Sequence, residues 1–139
     1  MKSFLILTMS LIMAASLIFI PNNSEAQIVR TLAADQETLT NTDTAYITLS
    51  VVSNSVSAEA YADKVSGTVA GTMVLQGSVD GTNYDDITSH NLVNQAINYK
   101  VFALHNSSGK LLYAKYRLRI ITSGTCSITV KGYDVRRSN

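Results

Sequence analysis

Apolar and polar residues alternate with period two through most of the chain after residue 43. In a strand, successive side chains point to opposite faces, so this period predicts half-buried strands. A strand over Tyr46–Val52 turns Ala45, Ile47, Leu49 and Val51 to one face, with Tyr46, Thr48 and Ser50 on the other. A central strand over Thr68–Val79 puts Met73, Leu75, Gly77 and Val79 together, and Thr72, Val74, Gln76 and Ser78 opposite. Tyr84–Ile87 begins the return, and Asn98–Leu104 is a further strand, with 105–109 as its turn. Leu111–Thr122 alternates cleanly, with Leu112, Ala114, Tyr116, Leu118 and Ile120 facing in. Tyr113, Lys115, Arg117, Arg119 and Ile121 face out. Ser123-Gly124 turns the chain into Cys126–Val135, where Gly132 predicts a bulge or a close backbone approach. After such a bulge the inward set shifts to Tyr133 and Val135.

Two stretches are less regular. Residues 27–43 are polar and weakly patterned, and read as an extended N-terminal arm or a short strand at Ile28–Leu32 followed by a loop. Within 53–63, Ser57–Asp63 has room for one helical turn, but the Ser-Asn-Ser start and the flanks favour a loop or an irregular strand. Short strands at near-regular spacing predict an all-β domain over 44–139. The expected architecture is an antiparallel β-sandwich of jelly-roll type, with a barrel as the alternative.

The first residues have a different character. Lys2, an apolar run from Phe4 to Ile20, Pro21 and the segment Ser24-Glu25-Ala26 follow the order of a secretory signal peptide over 1–26. The alternative is an uncleaved anchor, for which the run is slightly short against the ~20 residues of a bilayer span. The expected location is therefore the periplasm, the cell surface or the medium, with the membrane touched only through the N-terminal segment. Cys126 is the one cysteine of the chain, so no internal disulfide braces the domain. It falls in the alternating run with Ile128 and Val130 and reads as a small buried apolar residue.

Charge is split along the chain. Residues 27–99 hold two cations, Arg30 and Lys64, against eight anions. Residues 100–139 hold eight cations against Asp134. Such polarity predicts strands of the two halves side by side, or a positive face meeting a negative face on a neighbour.

Residues 71–87 carry a hairpin, Gly-Thr-Met-Val-Leu-Gln-Gly-Ser-Val-Asp-Gly-Thr-Asn-Tyr-Asp-Asp-Ile. Asp80-Gly81 supplies its turn, because glycine tolerates positive φ and Asp bonds its own backbone nearby. The segment resembles a hairpin of small β-sandwich proteins encoded by bacteriophages and prophages. It is also similar to the Ser-x-Asp-Gly-x-x-aromatic hairpin of discoidin-like domains, although the usual Trp is Tyr84 here. The stretch from Tyr116 through Ser123-Gly124 to Val130 resembles the closing hairpin of the same phage proteins. Together the two regions cover about a third of the chain after residue 26. The leader, ending Glu25-Ala26 before Gln27, looks like those of exported Bacteroidetes proteins. The resemblance implies a non-enzymatic, self-assembling virion structural protein, its partners being further copies or other virion or surface proteins. Its alternative is a secreted or cell-surface adhesin or carbohydrate-binding module.

Candidate chemistry is sparse. His90 and His105 sit in polar turn-like segments with no catalytic motif around them. Asp80, Asn83, Asp85 and Asp86 crowd one hairpin tip, where oxygen ligands suit calcium. Turn-forming and solvated acids account for that cluster equally well, so no cofactor is required. Lys115, Arg117 and Arg119 form a cationic row at ~6.8 Å spacing and are the candidate interaction surface. Phosphates, acidic glycans and lipid head groups suit such a row, but its simplest partner is the acidic half of the same or a neighbouring molecule. Nucleic acid is not an expected partner of an exported chain outside a virion. Tryptophan is absent, which weakens a glycan reading unless Tyr46, Tyr61, Tyr99 or Tyr113 lie together on one surface.

Overall fold

The computed structural model describes residues 28–33, 37–105 and 111–137. The expected signal peptide and most of the 105–109 turn lie outside the described residues. The described chain forms β1 (Ile28–Leu32), β2 (Glu37–Thr40), β3 (Thr44–Leu49), β4 (Ser55–Gly67) and β5 (Gly71–Ser78). β6 (Asp85–Leu92), β7 (Ile97–Ala103), β8 (Lys115–Thr122) and β9 (Cys126–Arg137) complete the set among the described residues. All pairings are antiparallel. One sheet has the order β1/β2-β9-β4-β7 and the other β3-β8-β5-β6. This order is a jelly roll: a long double-stranded ribbon, β1/β2 with β9 and β3 with β8, folded over so that two Greek-key sheets face each other.

The two sheets bury one core between them. Its largest fully buried members include Ile47 on β3, Met73 and Leu75 on β5, Phe102 on β7, Leu118 and Ile120 on β8, and Ile128 and Val130 on β9. Their inward positions follow the predicted alternation. Between β7 and β9, β4 presents Ala58, Ala60 and Ala62 to the same core, all fully buried. Gly132 pairs with Ala60. A Cβ on Gly132 would lie 2.9 Å from both Ile47 Cγ2 and Leu118 Cδ1, so those two side chains fill the space the glycine leaves. Each such aliphatic side chain contributes ~1.5–3 kcal/mol when fully buried.

The structure corrects several expectations. Of the two readings of 27–43, the short strand at Ile28–Leu32 is the one found, as β1, and the expected loop after it holds β2 rather than an arm outside the sandwich. β1 and β2 are two halves of one sheet edge against β9. Ala33 between them is buried and donates its N–H to the Gly132 carbonyl at 2.8 Å. Of the readings of 53–63, the irregular strand is the one found: it begins β4, at 13 residues the longest strand described, flanked by β9 and β7. Val79 lies past the end of β5 and is 77% exposed. Leu112 and Ala114 are exposed because β8 begins only at Lys115.

Gly132 is the expected close approach but not a bulge. The register shifts between β4 and β9 fall on the β4 side, at Val56 and Val65. Alternation therefore continues through Gly132, and Asp134, not Tyr133, points inward. Asp134 is buried and accepts from Ser55 Oγ at 3.0 Å and from Arg136 Nε at 2.5 Å. Val135 is buried as well, and Cys126 lies in the core as a free thiol.

Tyr116 is the one large polar-tipped side chain in the fully buried set, apart from Asn98. Its hydroxyl donates to the Leu104 carbonyl at 3.0 Å. It accepts from the Leu112 and Tyr113 N–H groups at 3.0 and 3.1 Å. One oxygen thus ties the entry of β8 to the exit of β7. Tyr116→Phe keeps the ring and strips these partners, so urea unfolding should show a loss of about 1–3 kcal/mol. Gly132→Val drives methyls into Ile47 and Leu118, and the same measurement should show about 1–3 kcal/mol lost through overpacking.

Candidate functional site

The tip of the β5–β6 hairpin is built by Asp80. Its Oδ1 accepts from Ser78 Oγ and from the N–H groups of Thr82 and Asn83 at 2.8–2.9 Å. Its Oδ2 accepts from Asn83 Nδ2 at 2.8 Å. Gly81 follows at φ 78°, in the left-handed region, and donates its N–H to Ser78 Oγ. Donors from the Asn83 and Thr82 backbone, then the Asn83 and Ser78 side chains, hold the Asp80 carboxyl well below its usual value of 3.8.

The other acids of the predicted calcium cluster do not join it. Asp85 is exposed at the start of β6. Asp86 lies over the sheet, accepting from Gln76 Nε2 at 2.5 Å and from Arg119 Nη2 at 2.7 Å. Among the described residues no three His, Cys, Asp or Glu side chains gather as a metal site. His90 pairs across to Met73 on β5, and His105 bridges to Leu111.

The cationic row lies on the outer face of the four-stranded sheet, as its alternation predicts, and two of its members are engaged there. The Arg117 guanidinium lies 3.8 Å from the Tyr84 ring centre and 4.4 Å from that of Tyr46. Its Nε donates to Gln76 Oε1 at 2.7 Å. Arg119 pairs with Asp86. Val74 and Gln76 are buried although they face outward, because these side chains roof them. Lys115 stays exposed opposite Ser78. Of the two readings of the charge split, strands side by side is the arrangement found: β8 lies against β5, and β9 against β4.

The outer face of the five-stranded sheet is different. Tyr61 and Tyr99 pair directly across β4 and β7, ring centres 4.6 Å apart. Tyr133 meets Tyr61 edge-on at 5.6 Å. Arg30 lies 4.4 Å over the Tyr133 ring, donates to the Tyr61 hydroxyl at 3.0 Å, and pairs with Glu59 at 2.5 Å. Burial opposes the charge on Arg30, but Glu59 outweighs it and raises the pKa. Partial burial, then the Glu59 charge and Tyr61, raise the Tyr99 phenol. Lys131 pairs with Asp63 at 3.1 Å. Around this network Ile28, Leu32, Ile97, Tyr99 and Val101 are all exposed.

The cluster brings together Tyr61 and Tyr99 of the four tyrosines considered. Tyr46 lies on the other sheet beside Arg117, and Tyr113 is half-buried, edge-on to Tyr116 at 5.9 Å. Arg30, Glu59 and Tyr133 were not foreseen. The signal was present in Glu59, Tyr61 and Asp63 alternating with Ala58, Ala60 and Ala62.

No protein-family model matches the sequence, and no curated protein matches it either. Solved structures share the fold. The PBSX exported protein XepA matches with a TM-score of 0.58 and 12% identity over 80% of this chain. The chain spans 38% of the length of XepA. A pilus protein of Bacillus endospore appendages matches at TM-score 0.48 and 14% identity, covering 84% of this chain and 92% of that one. The Yersinia pseudotuberculosis-derived mitogen matches at 0.48 and 11%, covering 82% and 88%. At 12% identity the likeness to XepA is one of fold: an all-β antiparallel sandwich.

The Asp80 cap has a pH signature. A carboxyl held low when folded stabilises above its unfolded pKa and loses that contribution as pH falls toward the folded one. Asp80→Asn should therefore have a lower Tm than the native chain at pH 7, measured by circular dichroism. The two curves should converge as the pH falls from about 4 to about 2.

Proposed function

We propose that this chain is an exported, non-enzymatic structural protein of phage type that self-assembles through its β-sandwich surfaces. The observation that carries the reading is the unequal covering of the two outer faces. Within the described strands of the four-stranded sheet the exposed large hydrophobic is Tyr46, stacked on Arg117, while the strands of the five-stranded sheet leave six exposed, Val65 besides the five named above. Several large apolar side chains exposed on one face of a small domain suit an interaction surface. The 71–87 hairpin resemblance and the fold shared with a PBSX exported protein support a phage-type setting. The leader pattern supports export, in a virion, at the cell surface or in the medium.

A second reading is favoured by one observation. Tyr61, Tyr99 and Tyr133 lie together with the Arg30–Glu59 pair, an arrangement of aromatic faces and fixed polar groups that suits a sugar ring. This is the adhesin or carbohydrate-binding alternative.

Sedimentation of the exported protein across a concentration series at low salt, with mass spectrometry of purified particles from the same culture, separates the two. The structural reading expects oligomers and a stoichiometric place in particles. A monomer at all concentrations that is missing from particles and is retained on a glycan array overturns it in favour of the second.

A further inference from the structure

We infer that the outer face of the five-stranded sheet is the self-association surface, and that it packs against the same face of a second copy about a two-fold axis. The inference rests on the structural reading above and names its surface and symmetry.

Three observations select this face and this occupant. The first is apolar content. Ile97, Tyr99 and Val101 stand in a row on the outward side of β7, at 56%, 43% and 43% exposure. Ile28 and Leu32 stand on the outward side of β1, across the sheet. Tyr61 and Tyr133 lie between them and keep the surface aromatic at its centre.

The second is charge. A two-fold interface brings each patch onto itself, so an unpaired charge near the axis meets its own sign. Here the charges close in pairs within the face, Arg30 with Glu59 and Lys131 with Asp63. Such a face meets a copy of itself without net repulsion. A partner of strong charge of either sign finds no complementary field there.

The third is the sheet edge. β7 is an edge strand, and an open edge invites strand addition. Lys100 pairs with the core residue Ala60 and so lies on the inner side of β7, at the sandwich margin. An inward-pointing charge on an edge strand disfavours edge-to-edge pairing. Association is thereby directed to the face.

The size is adequate. Four strand positions at ~4.8 Å, with strands from the seven residues of β7 to the thirteen of β4 at ~3.3 Å, give a face of roughly 700 Å², close to what a standard interface needs.

The test uses the full chain, exported and purified, and reads the dimer dissociation constant by sedimentation equilibrium. Ile97→Glu with Tyr99→Glu places like charges across the proposed axis and should weaken the dimer at least about 100-fold. Tyr46→Glu, on the opposite sheet, should leave it within about threefold. Circular dichroism spectra and melts on each variant establish that the sandwich is intact. If the double variant unfolds, the milder Val101→Lys replaces it and should weaken the dimer at least about tenfold.

Several results overturn the inference. One is a folded double variant that dimerises like the native chain. Native oligomers lost with Tyr46→Glu instead put the contact on the other sheet, and the structural reading stands without this surface. A native monomer that still enters particles has the same consequence. A native monomer that is absent from particles removes both. Glycan retention by a native monomer, abolished in the Ile97/Tyr99 variant, makes the face a sugar platform.

Discussion

The sandwich depends on how closely its sheets approach at Gly132. Ile47 and Leu118 from one sheet occupy the space that a side chain there would fill. The neighbouring floor is Ala58, Ala60 and Ala62, each without exposure. A glycine on β9 opposite large side chains on β3 and β8 lets the layers interlock there rather than collide. With no disulfide among the described residues, this fit carries the load that cross-links bear in many small exported domains. It also sets what the outer faces must do, because the inward positions of β4 and β9 are committed to packing.

Topology then decides the electrostatics. The jelly roll folds an acidic first half and a basic second half into adjacent strands, so opposite charges become neighbours without any long reach. Arg119 finds Asp86 across β8, β5 and β6, and Lys131 finds Asp63 across β9 and β4. Among the described residues these two ion pairs join the acidic half of the chain to the basic half. These exposed pairs contribute little stability individually, ~0–1 kcal/mol each. Their larger effect is to remove net charge from a surface that is otherwise apolar.

Much of this was legible in the alternation of the sequence. The inward sets of β3, β5 and β8 read directly, because Ile, Leu and Tyr at every second position leave little choice. β4 was obscured because its buried face is alanine, a residue with weak strand preference. Its two bulges, at Val56 and Val65, also interrupt the period. The same misreading hid the tyrosine cluster, since Tyr61 shows its orientation only when β4 is recognised as a strand. β1 was open as one of two readings, while β2 was obscured by its shortness, at four residues. The turn chemistry of Asp80-Gly81 was plain because one residue type satisfies several local donors. The fate of the arginine row was not, because its partners Gln76, Tyr84, Tyr46 and Asp86 come from three other segments.

The position of β9 has a consequence for how the molecule comes into being. This last strand is the sole sheet partner of β1 and β2 and the inner neighbour of β4. The five-stranded layer cannot be completed before β9 joins it, and contacts of such long sequence separation form slowly. The first strands of the sheet therefore wait, unpaired, for the strand that comes almost a hundred residues after them.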